Sequence, residues 1–131
     1  MPIVREWNSH ESVLYLQLVG EVSLDEMYEQ DALTQRLLQE TGVSIYVMAD
    51  ASQITNFPMS LSDHYALWGR QMSPQVQLLV IYGIRLPLAA LLATIIARVS
   101  RGRCQIVPTY DEARRLVHQH KQGQPSAYLS V

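Results

Sequence analysis

The sequence predicts an α/β fold: a mixed, mainly parallel sheet of about five strands flanked by about four helices. Three observations carry this. Strand-like and helix-like segments alternate at short intervals along the 131 residues. Two strand segments, 43–51 and 76–82, are apolar runs of the kind buried on both faces of a sheet. Ser or Thr followed three residues later by an acidic residue recurs ahead of helix-like stretches, which is how helices open. The element order that follows is β-β-α-β-α-β-α-β-α.

Each element has its own grounds. Ile3 to Trp7 reads as a short first strand, and Val13 to Gly20 as a stronger one, because Leu14, Leu16 and Leu18 share one face while Tyr15, Gln17 and Val19 share the other. Asn8 to Ser12 joins the two as a hairpin turn. Ser23 and Glu26 have capping-box spacing and open a helix from about Leu24 to Gln39, which Gly42 ends. Val43 to Ala51 is the central strand. A second helix starts near Ser60, with Asp63 three positions on, and closes at Pro74. Val76 to Tyr82 forms the next strand, ended by Gly83. A third helix runs from about Leu86, with Pro87 tolerated in its first turn, to near Gly102. Arg103 to Pro108 is the last strand. Thr109 and Glu112 give a third capping box, opening a helix whose stripe is Ala113, Leu116 and Val117, with His120 on the same side. Residues 1–121 are thus expected to form one domain and 122–131 an irregular tail.

Composition narrows the function. At 48% hydrophobic the chain can bury one core and has little length for a second. Its net charge of -2 comes from 10 basic and 12 acidic side chains spread along the sequence, which is no electrostatic footprint for nucleic acid. The single cysteine, Cys104, excludes an internal disulfide, and the opening residues MPIVREW carry no long apolar signal segment, so a cytoplasmic protein is expected.

The stretch richest in chemistry follows the central strand. Asp50 and Ser52, then Thr55, Asn56 and Phe57, stand at the carboxyl end of a buried strand, where open α/β sheets place their working residues. They form a candidate partner or ligand loop; the plainer reading has Asp50 and Ser52 bonding to nearby backbone amides. Asp50, Ser52 and His64 have the residue types of a hydrolase triad. No G-x-S-x-G elbow is present and the serine lies two residues from the acid, so no catalytic residue is assigned. His118 and His120 point roughly 160° apart on a helix and cannot easily share a metal ion. No metal and no cofactor are expected, and Cys104 reads as a small buried hydrophobe.

The third helix, LPLAALLATIIARV, carries no charge before Arg98 and is too short to span a bilayer. Ala89, Ala93 and Ala97 make a small-residue ridge, with Leu92 and Ile96 among the bulky residues beside it. Three uses are open: packing on the sheet and neighbouring helices, a homodimer contact, or cover for an apolar lipid or acyl ligand. Docking on a membrane surface through Arg85, Arg98, Arg101 and Arg103 is the remaining variant. The first helix adds to the dimer reading, since Leu24, Met27, Tyr28 and Leu38 fall on one side and Leu33 and Leu37 nearly opposite.

The early strand pair, the turn GEVSLDEM, and the strand YVMADAS followed by NFPMS together resemble the STAS domains, the SpoIIAA-like anti-sigma-factor antagonists, with this chain as a divergent member. The likeness in element order covers Ile3 to about Lys121. In such antagonists the segment after the central strand resembles D-x-S-x-x-x-F-M-D-S-S-G, whose last serine is phosphorylated by a partner kinase. Laid on from Asp50, Ser52 keeps its place, Phe57 falls among the apolar positions and Ser60 falls on the switch serine. Pro58, Met59 and Leu61 stand where the pattern has aspartate, serine and glycine. The resemblance implies a non-enzymatic regulatory module that binds a protein such as a kinase or an anti-sigma-like factor, with Ser60 as phosphoacceptor; the two apolar helices add the expectation of a homodimer. A serine immediately before a helical run is most often an N-cap, which is the plainer reading of Ser60, and the two roles are compatible.

Overall fold

The computed structural model describes residues 3–56, 74–85, 87, 90, 91, 94, 95, 98 and 103–123. Strands β1 (Ile3–Asn8) and β2 (Val13–Glu21) pair antiparallel, with Asn8 opposite Val13. Their turn is held by its own side chains. The Glu11 amide donates to Asn8 Oδ1 at 3.1 Å, and Asn8 Nδ2 donates to Glu11 Oε1 at 2.8 Å.

Helix α1 (Leu24–Thr41) begins in the predicted capping box. The Glu26 amide donates to Ser23 Oγ at 3.2 Å, and the Ser23 amide donates to Glu26 Oε1 at 2.8 Å, so two donors that an open helix end would leave unpaired are satisfied. The helix stops at Gly42, whose φ of 67° lies in the left-handed region that glycine enters without a Cβ penalty. The Gly42 amide there donates to the Leu38 carbonyl at 2.9 Å.

Strands β3 (Ile45–Asn56), β4 (Val76–Tyr82) and β5 (Cys104–Val107) then add in parallel, giving a five-stranded mixed sheet in the order β1-β2-β3-β4-β5. Helix α2 (Tyr110–Lys121) closes the described chain, its first turn held by the Glu112 amide donating to Thr109 Oγ1 at 3.2 Å.

The sheet is covered on both faces, which makes the fold α/β. On one face Leu14, Val47, Ala49, Leu79 and Cys104 pack with Leu38 of α1. On the other, Val13, Met48, Val80 and Val107 pack with Ala113, Leu116 and Val117 of α2, the stripe read from the sequence. Arg5 reaches across from β1 to α1, donating to Gln30 Oε1 at 2.6 Å and Thr34 Oγ1 at 3.2 Å.

Several expectations are corrected. Two helices are continuous among the described residues, against about four expected, and the order there is β-β-α-β-β-β-α rather than a full alternation. The second predicted helix, from Ser60, lies outside the described residues. Of the third, Pro87, Ala90, Leu91, Thr94, Ile95 and Arg98 are described and helical, with Thr94 Oγ1 donating back one turn to the Ala90 carbonyl at 2.9 Å. The central strand starts at Ile45, not Val43, which is exposed, and it runs on to Asn56 rather than ending at Ala51. Leu37 packs against the same core cluster as Leu38, so it does not mark a second apolar side of α1.

Replacing Ser23 with alanine removes one half of the cap and should lower stability by about 1 kcal/mol, read from urea unfolding, while Ser23→Asp should retain most of it.

Candidate functional site

The extension of β3 past Ala51 depends on two irregularities in its pairing with β2. Between the pairs Gln17–Asp50 and Val19–Gln53, β3 spends one more residue than β2, and it does so again between Gly20–Ile54 and Glu21–Asn56. These are β-bulges, which bend a strand and take an amide out of the ladder. The Ser52 amide is supplied locally, donating to Asp50 Oδ1 at 2.9 Å. Asp50 and Ser52 thus form the local backbone bond that is the plainer of the two sequence readings.

Gly83 completes this corner. It follows β4 with a φ of +77°, and a Cβ on it would sit 3.0 Å from the Ser52 Cβ. Both its backbone angle and its contact with β3 therefore require glycine.

On the α2 face, the register sets Gln17, Asp50 and Tyr82 side by side across β2, β3 and β4. The Tyr82 ring meets Tyr110 of α2 edge-on, with centroids 5.7 Å apart at 64°. Burial, then the Asp50 charge and the other two phenols, pushes the Tyr82 hydroxyl from its ordinary 10.0 up to about 12. Arg114, one turn on from Tyr110, donates through Nη1 to the Tyr15 hydroxyl at 3.0 Å and the Tyr110 hydroxyl at 3.3 Å, and through Nη2 to Glu11 at 3.1 Å. Tyr15 is raised as well, by burial first and by Glu11 next, with Arg114 opposing. The result is a rim of three tyrosines, one arginine and one aspartate. Such a rim is suited to recognition by aromatic faces and hydrogen bonds, because these residue types give large contact area at low entropic cost.

Of the residues expected in a loop, Asp50, Ser52, Thr55 and Asn56 all lie within β3; Thr55 and Asn56 are exposed there. Phe57 and Ser60 lie outside the described residues, as do Ala89, Leu92, Ala93, Ile96 and Ala97 of the third predicted helix, and His64 of the triad considered above. Leu91, described on that helix, is 60% exposed. His120 Nδ1 lies 3.0 Å from the Tyr46 hydroxyl and His118 Nε2 lies 2.9 Å from Gln122 Nε2, so the two imidazoles engage different partners. Cys104 is fully buried, and burial pushes its thiol up to about 12. Among the described residues no group of three His, Cys, Asp or Glu side chains could hold a metal ion, and no helix is long and apolar enough to cross a membrane.

The sequence matches no family model and no curated protein. Solved structures do match. An uncharacterised protein of the DUF3478 family from Shewanella loihica PV-4, with a SpoIIAA-like fold, superposes with a TM-score of 0.63 at 14% identity, over 88% of this chain and 91% of that one. The fold is SpoIIAA-like. The anti-sigma factor antagonist SpoIIAA in its unphosphorylated form gives a TM-score of 0.58 at 13% identity, over 88% and 97%. An anti-sigma factor antagonist from Mycobacterium paratuberculosis gives 0.56 at 15%, over 88% and 94%. The sequence resemblance to the STAS, or SpoIIAA-like, fold is thereby confirmed at the level of fold.

The tyrosine and arginine rim was not picked out by sequence reading. Tyr15 and Arg114 are 99 positions apart, and only the sheet register and the seating of α2 bring them together. The available signal was the assignment of Tyr15 and Gln17 to the face opposite Leu14 and Leu16.

Two outcomes follow. Asp50→Ala leaves the Ser52 amide without its acceptor and should cost about 1–2 kcal/mol in urea unfolding, whereas Asp50→Asn keeps an oxygen in place and should cost clearly less; equal losses would show that the bond to Ser52 is not what Asp50 supplies. For Tyr82 the folded value lies above the unfolded one. Its contribution to stability is therefore complete below pH 10 and is lost as pH rises through about 12. Tyr82→Phe should flatten that alkaline loss and remove a component of the tyrosinate absorbance that titrates near 12.

Proposed function

We propose that this protein is a non-enzymatic regulatory module that acts by binding another protein, in the manner of an anti-sigma-factor antagonist. The observation that carries this reading is the superposition on two such antagonists along nearly their whole length. The working surface is the carboxyl end of β3 and the segment that follows it, with Thr55 and Asn56 exposed at its start and Ser60 beyond. Ser60 is the residue through which a partner kinase would switch binding. Phosphate adds a charge of about −1.5 to −2 and, at the opening of a helix, would meet favourable amides and dipole. The partner is of the kinase or anti-sigma-factor class, and the module works in the cytoplasm as a homodimer.

The support for Ser60 is its register with the switch serine when Asp50 and Ser52 are aligned. The departures at Pro58, Met59 and Leu61 predict a kinase that does not read an aspartate before the serine.

The test uses intact-mass analysis of the protein from its own cells and affinity measurement with the partner that co-purifies. A phosphate that maps to Ser60, is lost in Ser60→Ala, and a drop in partner affinity of at least about tenfold in Ser60→Asp are expected. Unchanged affinity in Ser60→Asp would remove the switch, and a chain that co-purifies with no protein would remove the binding role.

A further inference from the structure

Between the β1–β2 turn and the flank of α2 that meets the sheet lies a shallow cleft of about 40 Å³. Its floor is apolar, built from Val13, Met48 and Val117, and its helix rim carries Arg114, His118 and Lys121, with a cation at each end. These three fall at i, i+4 and i+7 and so form one stripe along α2.

The cations at the two ends of the stripe are already seated. The Arg114 guanidinium lies 5.9 Å from the Tyr110 ring centroid and the Lys121 ammonium 5.4 Å from that of Tyr46. Arg114 is also fixed by its bonds to the Tyr15 and Tyr110 hydroxyls. Little side-chain entropy remains to be lost when an anion arrives.

The carboxylate lining this cleft is Glu11, and it stands where an anionic ligand would stand. Its Oε2 accepts from Arg114, its main-chain carbonyl accepts from the Lys121 ammonium, and its Oε1 accepts from Asn8. Asp111 and Glu112 belong to the first turn of α2, Asp111 one turn before Arg114, and neither lines the cleft. The pair Glu11–Arg114 is far from buried, with side chains 31% and 45% exposed, so its exchange for another carboxylate costs little. A volume of this size holds a water molecule or two and cannot enclose a metabolite. It suits side chains from a segment laid across it.

We propose that this cleft docks an acidic segment of a partner protein, with apolar residues between its carboxylates, and that Glu11 is the built-in competitor such a segment displaces. The proposal rests on the reading of the chain as a protein-binding module and adds a partner chemistry and a second surface, independent of Ser60.

The full chain is titrated by fluorescence anisotropy with a labelled peptide of alternating glutamate and leucine and with its glutamine counterpart. The acidic peptide should bind and weaken as salt is raised, and the glutamine peptide should bind at least about tenfold less well. Glu11→Gln, which frees the stripe, should tighten binding several-fold, and Lys121→Gln and Arg114→Gln should each weaken it, with Arg114→Lys restoring part of the loss. Circular dichroism on each variant separates loss of binding from loss of fold. Equal binding of the two peptides, or a Glu11→Gln protein that binds no better than the parent, overturns the proposal. Full displacement of the peptide by inorganic phosphate at matched anion concentration also overturns it, in favour of a site for small free anions. Ser60→Asp should leave peptide binding unchanged, so failure here and failure of the Ser60 switch are read separately.

Discussion

The structure depends on β3 being covered from both sides at once. Ile45 to Ala49 are five consecutive buried residues, and consecutive strand residues point to opposite faces, so burial of all five requires a layer on each side of the sheet. Leu38 of α1 supplies one layer and Leu116 of α2 the other. Each Å² of apolar surface so removed from water contributes roughly 25 cal/mol, so a strand buried on both faces stabilises the domain through both layers at once. Its two edges are covered as well, by β2 and β4, both paired with it in parallel. β5 extends the same row at its far side.

That constraint ends at Asp50, and the chain changes character there. A strand that bulges twice over seven residues has left the regular ladder, and each bulge frees backbone groups that need other partners. Asp50 answers one of them with its own carboxylate, and Gly83 lets β4 turn away while staying against Ser52. The polar groups at the end of β3 are therefore structural before they are anything else. A partner surface built from them inherits a fixed geometry, which is the property a recognition site needs.

The legibility of this fold in the sequence tracks the range of the interactions involved. The Ser23 cap, the Gly42 stop and the Ala113, Leu116 and Val117 stripe involve residues within four positions of one another, and each is where local pattern places it. The length of β3 was misjudged because Asp-Ala-Ser reads as a strand exit, and a bulge that keeps such residues in the ladder leaves no periodic trace. The rim that joins Tyr15, Tyr82, Tyr110 and Arg114 was invisible for a different reason: it exists only once β2, β4 and α2 are brought together.

The two candidate surfaces sit on different parts of one frame, and this bears on how a single small domain could be regulated. The end of β3 belongs to the bulged corner, held by Asp50 and Gly83. The cationic stripe belongs to α2, held by tyrosines from β2, β3 and α2 itself. Tyr82 stands between them, facing Asp50 across the sheet register and Tyr110 across the helix. Glu11 is held by Arg114, Lys121 and Asn8, and Asp50 holds the Ser52 amide. The two surfaces therefore rest on different contacts, and a partner can displace Glu11 without unmaking the bulged corner that carries the other surface.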